Sequence, residues 1–184
     1  MGKRTNPLDI TVILCTRDRS ETLKRCLESL INQTHSRDQF EIIVVDDGST
    51  DDTWSVLLDL QKSGHIRALR QQKRGAAAAR NMAVHAAIGR WILFIEDDAI
   101  ASPSLVECHV KTHLSRPEQK LCVLGHRGYS QKNLRYPLAR YLEENDILFE
   151  YGQMLPMEHV DAKFFYTTNI SIPKSAFDAV GPMD

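Results

Sequence analysis

Three clusters of polar and charged residues each follow an apolar stretch of strand length. The clusters are Cys15-Thr16-Arg17-Asp18-Arg19, Asp46-Asp47-Gly48-Ser49 and Glu96-Asp97-Asp98. If the apolar stretches are parallel strands of one sheet, the clusters meet at its carboxyl edge, where ligands bind. The five carboxylates of the second and third clusters would repel one another there without cations. We expect those cations to be a divalent metal ion and nearby arginines such as Arg17, Arg19 and Arg80.

The triplet Glu96-Asp97-Asp98 has the spacing of an open metal site. In extended backbone, alternate residues face the same way, so Glu96 and Asp98 project together while Asp97 turns aside. Carboxylate oxygens suit Mg²⁺ or Mn²⁺, with most of the coordination sphere left for the oxygens of a diphosphate. A second interpretation stays open, in which the acidic side chains only hydrate a strand end and cap a helix that begins at Ser102-Pro103.

Asp47 has two candidate roles. A carboxylate at a strand end can accept the N–H of a nucleobase or the hydroxyls of a ribose, or it can cap the helix that follows. For residues 49–52 we predict the capping role, with the hydroxyls of Ser49 and Thr50 at the helix N-terminus. Gly48 is expected to supply a backbone turn that a Cβ would obstruct.

The segment from Gly75 to Arg80 consists of a glycine, four alanines and an arginine. It is not a dinucleotide-binding fingerprint, because the second and third glycines are absent. Small residues would let a helix N-terminus approach the sheet closely, and Arg80 could then reach a phosphate. The alternative is a surface arginine on a tightly packed helix.

His109 and His113 have the spacing of a pair of metal ligands on a helix. No Glu follows the first histidine, so the metalloprotease motif is absent, and no third ligand is evident. We therefore predict that both histidines lie on a solvated helix face.

Strand-like and helical segments alternate along the first hundred residues, which predicts an α/β layer fold with a largely parallel sheet flanked by helices. Strands are expected at residues 10–15, 41–45, 66–69, 91–95, 121–124 and 167–172. Helices are expected at residues 21–32, 50–64, 76–88, from 102 onward and at 174–180, with a weaker helical pattern at 136–151.

The charge balance and the cysteines limit the class of protein. The chain has 23 basic and 24 acidic residues and no long basic run, so a nucleic-acid partner is not expected. The longest apolar runs are too short to cross a bilayer, and no signal-peptide core follows the N-terminus. No C-x-x-C pair occurs among the four cysteines, which suits free thiols in a reducing, cytoplasmic compartment. These cysteines are Cys15, Cys26, Cys108 and Cys122.

Five segments, in order along the chain, carry a resemblance to a known family. They are residues 11–19 (TVILCTRDR), 27–34 (LESLINQT), 41–53 (EIIVVDDGSTDDT), 75–81 (GAAAARN) and 91–98 (WILFIEDD). The chain resembles the family 2 glycosyltransferases of the GT-A fold, which transfer sugars from nucleotide sugars with inversion. The match is close over residues 11–103, poor over 104–167 and looser over 168–184. The resemblance implies a Rossmann-type layered α/β fold.

The resemblance also implies site residues and ligands. Asp98 would coordinate Mg²⁺ or Mn²⁺ with Glu96 beside it. The donor would be a nucleoside-diphosphate sugar of UDP type, and the acceptor a hydroxyl of a glycan, lipid or protein. The sequence departs from the family where Glu96 replaces the usual Asp and Cys15 replaces a common Pro. The expected nucleotide-binding residues are Cys15, Thr16, Arg17, Arg19, Asp47, Gly75, Arg80 and Asp97.

We predict one domain over residues 1–184, with a donor-binding half at 1–103 and the start of an acceptor-side half at 104–184. In the family, the catalytic base follows a Gly-Gly-Phe-Asp-like turn, which corresponds here to Gly181-Pro182-Met183-Asp184. We therefore expect the base after Asp184, so that this chain binds the donor without transferring sugar. Glu158 and Asp161 are the alternative bases within the chain.

Other interpretations of the chain stay open. A nucleotidyltransferase would also need metal-binding carboxylates, although its Gly-rich loop after the first strand is absent here. A non-catalytic nucleotide-binding module is the alternative from a different class. A homo-oligomer, and a location at the inner face of a membrane for the full-length protein, also stay open.

Overall fold

A six-stranded sheet with helices on both faces organises the chain. The computed structural model describes residues 8–117, 121–154 and 162–184. The strands lie in the order β3-β2-β1-β4-β6-β5. Their bounds are β1 Leu8–Thr16, β2 Phe40–Asp47, β3 Arg67–Gln71, β4 Gly89–Ile95, β5 Val123–Leu124 and β6 Asn169–Pro173. The predicted catalytic-base candidates Glu158 and Asp161 lie outside the described residues.

Six α-helices connect and cover these strands in the described part of the chain. They are α1 Ser20–Ile31, α2 Thr53–Lys62, α3 Ala76–Ala86, α4 Leu105–Ser115, α5 Pro137–Glu144 and α6 Lys174–Val180. Short 3₁₀ turns lie at Asn133–Arg135, Tyr151–Gln153 and Ala162–Phe164. The weak helical pattern at 136–151 corresponds to α5 and the turn that starts at Tyr151.

The four strands β3, β2, β1 and β4 are parallel, as the alternation of strands and helices predicts. β1 pairs with β2 and β4, and β2 with β3, all in parallel. The register places Thr16 beside Asp46 and Asp47 beside Gln71, so the carboxyl ends of these strands meet at one edge. β6 runs antiparallel to β4 and β5 and extends the sheet on one side. The prediction of a largely parallel sheet is confirmed.

Alternating side chains of the strands build two apolar cores, one on each face. On one face, Val12 and Leu93 pack with residues of α1, α2 and α4. On the other face, Ile13 and Phe94 pack with residues of α3 and α6. Because helices cover the central strands on both sides, each of these strands is a continuous run of apolar residues in the sequence.

Gly89 begins β4 where two strands approach closely. A Cβ there would lie 2.4 Å from the Thr11 backbone nitrogen, and the Gly89 N–H donates to Thr11 Oγ1 at 2.9 Å. The predicted helix at 76–88 therefore ends earlier, at Ala86, because Ile88 already turns toward the sheet and its N–H donates to Glu41 Oε1 at 2.8 Å.

α4 begins at Leu105, so the predicted start at Ser102-Pro103 is wrong. The carbonyls of these two residues accept bonds from a distant loop. Gln33 Nε2 donates to the Ser102 carbonyl at 2.8 Å, and the Thr34 N–H donates to the Pro103 carbonyl at 2.8 Å. The Gln33 carbonyl Oε1 also accepts the Val106 N–H at 2.9 Å. A side chain from outside the helix thus satisfies its first turn.

Candidate functional site

A cleft of about 380 Å³ opens at the carboxyl edge of β1, β2 and β4. A second cleft of about 390 Å³ lies between α1 and α2, but it contains none of the predicted site residues. The first cleft combines arginines with carboxylates, as the spacing of the polar clusters predicts. Its lining residues are Ile13, Cys15, Thr16, Arg17, Arg19, Asp47, Ala76, Arg80, Ile95, Glu96, Asp97 and Asp98.

The structure brings nine of the ten predicted site residues together in this cleft. The tenth, Gly75, does not line it but lies directly before Ala76, which does. Gly75 has a φ of +93°, a left-handed conformation that favours glycine. Its N–H donates to Asp47 Oδ2 at 2.9 Å, so its contact is with the protein's own carboxylate.

The loops after β1 and β2 are joined to each other by hydrogen bonds. The Asp18 N–H donates to Ser49 Oγ at 2.9 Å, and Asp18 Oδ1 accepts the Thr50 N–H at 2.7 Å. The predicted capping role of Ser49 and Thr50 is therefore wrong, because their polar groups bind the β1–α1 loop. α2 begins at Thr53, whose N–H donates to Asp51 Oδ1 at 2.9 Å.

Asp47 is buried and accepts three N–H groups. Its Oδ1 accepts Gln71 Nε2 and the Arg74 N–H, both at 2.7 Å, and its Oδ2 accepts the Gly75 N–H. Burial raises the pKa of Asp47, but these hydrogen bonds outweigh it and hold the pKa below the ordinary value. The carboxylate therefore holds the β3–α3 loop in place, and Oδ2 retains one acceptor direction for a ligand.

Gly48 lets this loop pass close to the end of β2. It has a φ of +74°, and a Cβ would lie 2.9 Å from the Lys73 backbone nitrogen. The expected backbone turn is confirmed.

Asp46 holds the strand end itself. It is fully buried, its Oδ1 accepts the Ser49 N–H at 3.0 Å, and its Oδ2 pairs with Arg70 Nε at 3.0 Å. The Arg70 guanidinium also lies over the Trp54 ring, 5.2 Å from its centroid. Asp46 thus has a hydrogen-bond partner at Oδ1 and an ion-pair partner at Oδ2, and it does not line the cleft.

Two arginines contact the acidic triplet from opposite sides. Arg19 Nη1 lies 3.2 Å from Asp97 Oδ1 and 3.5 Å from Asp98 Oδ2. Arg127 Nη1 lies 2.7 Å from Glu96 Oε2, and its Nη2 lies 3.6 Å from Asp98 Oδ1. Glu96 and Asp98 share Arg127 while Asp97 is buried, but the extended backbone expected here ends at Ile95, and the Ala99 N–H donates to the Glu96 carbonyl at 3.2 Å across a turn.

The electrostatics of the triplet differ from residue to residue. Burial raises the pKa of Asp97, and Arg19 opposes that shift only in part. A cation near this carboxylate would favour its charged form. Cys15, which also lines the cleft, has its pKa raised to about 12 by burial, so its thiol stays protonated and is not a nucleophile at neutral pH.

The triplet fits a metal ion that takes few protein ligands. The described residues contain no group of three His, Cys, Asp or Glu side chains that could hold a metal ion alone. The side chains of Glu96 and Asp98 are partly exposed to solvent, and the ligand atoms they can supply are carboxylate oxygens. Mg²⁺ and Mn²⁺ suit such a donor set, since Mg²⁺ is usually held by one or two carboxylates, substrate phosphates and water.

His109 and His113 are buried, so the predicted solvated helix face is wrong. Ser171 Oγ lies 2.7 Å from His109 Nδ1 and 2.7 Å from His113 Nε2, while His109 Nε2 lies 3.0 Å from Asn169 Oδ1. One set of neutral tautomers satisfies every bond: His113 donates to Ser171, Ser171 donates to His109, and His109 donates to Asn169. The His113 ring also stacks on Trp91, with centroids 4.8 Å apart.

Arg127 is the residue near the cleft that the sequence analysis missed. It lies between β5 and α5, in the stretch where the family resemblance is poor and no helical or strand period is visible. A lone arginine in such a stretch carries no signal of its own. Among the described residues, no helix is long and apolar enough to cross a membrane.

Comparisons with known proteins agree with the fold. The family model for "Glycosyl transferase family 2" matches residues 11–181. The validoxylamine A glucosyltransferase of Streptomyces hygroscopicus subsp. jinggangensis is 27% identical over 197 residues, which cover 95% of this chain and 47% of that protein.

Two solved structures share the fold. The mannosyltransferase PcManGT from Pyrobaculum calidifontis, in complex with GDP-Man and Mn²⁺, has a TM-score of 0.68 and 20% identity. That match covers 98% of this chain and 48% of the other. TarS 1–349 of S. aureus, in complex with UDP-GlcNAc, has a TM-score of 0.58 and 22% identity, covering 70% of this chain and 39% of the other.

The chain spans less than half of the length of each of these three proteins. The predicted GT-A fold is confirmed by the layered sheet and by these neighbours. The match over residues 11–181 shows that the chain belongs to glycosyl transferase family 2.

Proposed function

We propose that the cleft binds a nucleoside-diphosphate sugar of UDP type together with Mg²⁺ or Mn²⁺. The observation that carries this proposal is the meeting of arginines and carboxylates at the carboxyl edge of β1, β2 and β4. The nucleotide would lie along Cys15, Thr16 and the β1–α1 loop. TarS, a structural neighbour, holds UDP-GlcNAc, which supports a donor of this class.

The charge of the cleft supports a metal-bound diphosphate. Four carboxylates and three arginines line it, and Arg127 pairs with two of the carboxylates, so these charges balance before any ligand binds. A diphosphate adds further negative charge, and a divalent cation at Asp98 and Glu96 would offset it. Arg17, Arg19 and Arg80 would contact phosphate oxygens, for which the guanidinium group has matching donors.

Asp47 would serve the nucleotide in two ways. Its three hydrogen bonds hold the loop that leads into α3, the helix that carries Arg80. The remaining acceptor direction on Oδ2 is available for an N–H of the nucleobase. We propose that Asp47 both contacts the base and positions the loop beside it.

The proposed reaction is transfer of the sugar to an acceptor hydroxyl with inversion. A base deprotonates the hydroxyl, whose oxygen attacks the anomeric carbon while the bond to the diphosphate breaks. A bound divalent ion would stabilise the charge on the departing nucleoside diphosphate. Arg19 and Arg80 would hold that diphosphate in place during the displacement.

We propose that the base is not among the carboxylates that line the cleft. Asp47 is occupied by three N–H groups, and Glu96, Asp97 and Asp98 are paired with arginines. The nine predicted residues that line the cleft all belong to the proposed donor-binding half at 1–103, and Arg127 contacts two of them from the proposed acceptor-side part at 104–184.

A thermal-shift panel tests this function. UDP, GDP and ADP are added with and without Mn²⁺ to the wild type, Arg80→Gln and the control Arg67→Gln. Arg67 lies at the amino end of β3, where its Nη1 donates to the Ala86 carbonyl at 2.8 Å. A ligand at a hundredfold excess over its dissociation constant stabilises the folded state by about 2.7 kcal/mol.

We expect UDP with Mn²⁺ to raise the melting temperature of the wild type and of Arg67→Gln, and to do so much less for Arg80→Gln. No shift with any nucleotide would refute the proposal. A larger shift with GDP than with UDP would refute the UDP assignment alone.

A reducing compartment is the proposed place of action. All four cysteines are unpaired, and Cys108 and Cys122 are exposed. Free exposed thiols persist in the cytoplasm, where disulfides are rare.

A further inference from the structure

Arg127 forms ion pairs with the two carboxylates that would bind the proposed metal ion. Its guanidinium bridges Glu96 and Asp98, while Arg19 holds Asp97 and the other oxygen of Asp98. Within the described part of the chain, these two arginines are the cations in ion-pair contact with the triplet. The guanidinium of Arg127 thus stands where a divalent cation would have to bind.

The backbone of Arg127 is fixed to the sheet. Its N–H donates to the Tyr151 hydroxyl at 3.0 Å. The two preceding residues, Gly125 and His126, are hydrogen-bonded to Asn169 at the start of β6. The Gly125 N–H donates to the Asn169 carbonyl at 2.8 Å, and Asn169 Nδ2 donates to the His126 carbonyl at 3.1 Å. The side chain therefore extends from a held position.

The same asparagine connects this loop to the buried histidine pair. Asn169 Oδ1 is the partner of His109, whose other ring nitrogen contacts Ser171. A Cβ at Gly125 would lie 2.3 Å from Asn169 Nδ2, so only glycine allows this approach. The network explains why the loop that carries Arg127 stays beside β4, although it belongs to a different part of the chain.

The side chain of Arg127 can leave its carboxylates at little cost. It is 33% exposed, and Glu96 and Asp98 are exposed to a similar degree, so solvent screens both ion pairs. Its guanidinium lies 5.4 Å from the Phe149 ring centroid, a contact that supports the charged group from one side. A planar guanidinium also offers paired donors that match two phosphate oxygens.

We propose that Arg127 is a donor-binding residue that exchanges partners: it neutralises Glu96 and Asp98 in the free protein and moves to the donor's diphosphate when a divalent cation takes its place. This proposal rests on the proposed function. The exchange follows from charge, because a divalent cation and a guanidinium repel each other at a shared carboxylate. The diphosphate that arrives with the metal then supplies the negative partner that Arg127 has lost.

Calorimetry with two titrations tests the exchange. Mn²⁺ is titrated alone, and UDP is titrated in saturating Mn²⁺, into the wild type, Arg127→Gln, Arg127→Lys and the control Arg67→Gln. For Arg127→Gln we expect the two affinities to change in opposite directions. Mn²⁺ alone should bind about twofold to fivefold more tightly, because a competing cation is gone. UDP should bind about tenfold more weakly, because charged donors to the diphosphate are lost.

The controls separate this exchange from damage to the fold. Arg127→Lys keeps the charge without the paired donors, so Mn²⁺ should bind as to the wild type and UDP with an intermediate affinity. Arg67→Gln should match the wild type in both titrations. If Arg127→Gln does not fold, Arg127→Lys decides the question. UDP binding to Arg127→Lys that is as tight as to the wild type would overturn the proposal.

The remaining outcomes distinguish a failure of the exchange from a failure of the proposed function. Wild-type values for both ligands in Arg127→Gln, or a weakening of both, would overturn the exchange and leave the proposed function intact. A wild type that binds Mn²⁺ but none of UDP, GDP and ADP would overturn the exchange and the proposed function together.

Discussion

Asp47→Ala removes the carboxylate that accepts three N–H groups from the end of β3 and the loop that follows it. The groups belong to Gln71, Arg74 and Gly75, with donor–acceptor distances of 2.7, 2.7 and 2.9 Å. A hydrogen bond to a charged acceptor contributes about 1.5–3 kcal/mol to stability. Arg74 and Gly75 are exposed, so water replaces part of what is lost. We expect the substitution to destabilise the fold by about 2–4 kcal/mol.

Urea denaturation at pH 7 measures this change, with Asp52→Asn as the matched control. Asp52 is exposed at the N-terminus of α2 and makes no side-chain capping bond, so its substitution should leave the midpoint almost unchanged. In a chain of this size, a loss of 2–4 kcal/mol lowers the melting temperature by about 4–16 °C. Equal stability of Asp47→Ala and the wild type would refute the role of Asp47 in holding the loop.

Gln71→Ala separates the loop-holding role of Asp47 from its proposed contact with the base. It removes one of the three bonds to Asp47 and keeps the free acceptor direction of Oδ2. We expect a stability loss of about 1 kcal/mol with unchanged UDP affinity, whereas Asp47→Ala should also weaken UDP binding by about 1–3 kcal/mol. Unchanged UDP affinity in Asp47→Ala would refute the contact with the base.

Two further predictions concern the fold around the cleft. Gly89→Ala should destabilise the protein by about 1–3 kcal/mol in urea denaturation, because the added Cβ meets the backbone of Thr11; wild-type stability would contradict that reason. Burial lowers the pKa of His109, and it lowers that of His113 from 6.5 to about 4. As the pH falls from 6.5 toward 4, the histidines of the unfolded chain bind protons and those of the folded chain do not. The free energy of unfolding therefore decreases over this range, by on the order of 3 kcal/mol for His113 alone. Denaturation midpoints against pH should show this loss in the wild type and a smaller one in His113→Phe, and an equal loss in both would contradict the assignment.

The parallel strands and the cleft could be predicted because their signals are local. Each central strand is an apolar run, and each run ends in a polar cluster that the sheet must bring to one edge. The pairing of Glu96 and Asp98 with Arg127 agrees with the predicted alternation, although a turn at residues 96–99 replaces the extended backbone on which that prediction rests. These features depend on neighbouring residues and on the topology of a parallel sheet, both of which the sequence contains.

The errors concern side chains whose partners lie far away in the chain. The spacing of His109 and His113 predicted a solvated helix face, but both rings are buried. Their polar partner Ser171 lies 62 residues after His109, so the spacing gave no sign of it. Ser49 looked like a helix cap, but its hydroxyl accepts the N–H of Asp18 from another loop. α4 begins at Leu105 rather than at Ser102-Pro103, and the Val106 N–H of its first turn donates to Gln33, 73 residues earlier. Local patterns carry no information on such partners.

The Mn²⁺-dependent gain in UDP affinity tests the central claim most directly. UDP is titrated by calorimetry with and without Mn²⁺ into the wild type, Asp98→Asn and the control Asp52→Asn. We predict that Mn²⁺ strengthens UDP binding to the wild type and to Asp52→Asn, and that Asp98→Asn loses this gain while its melting temperature without ligand is unchanged or raised. The same Mn²⁺-dependent gain in Asp98→Asn as in the wild type would contradict the metal-dependent donor site at the carboxyl edge of the sheet.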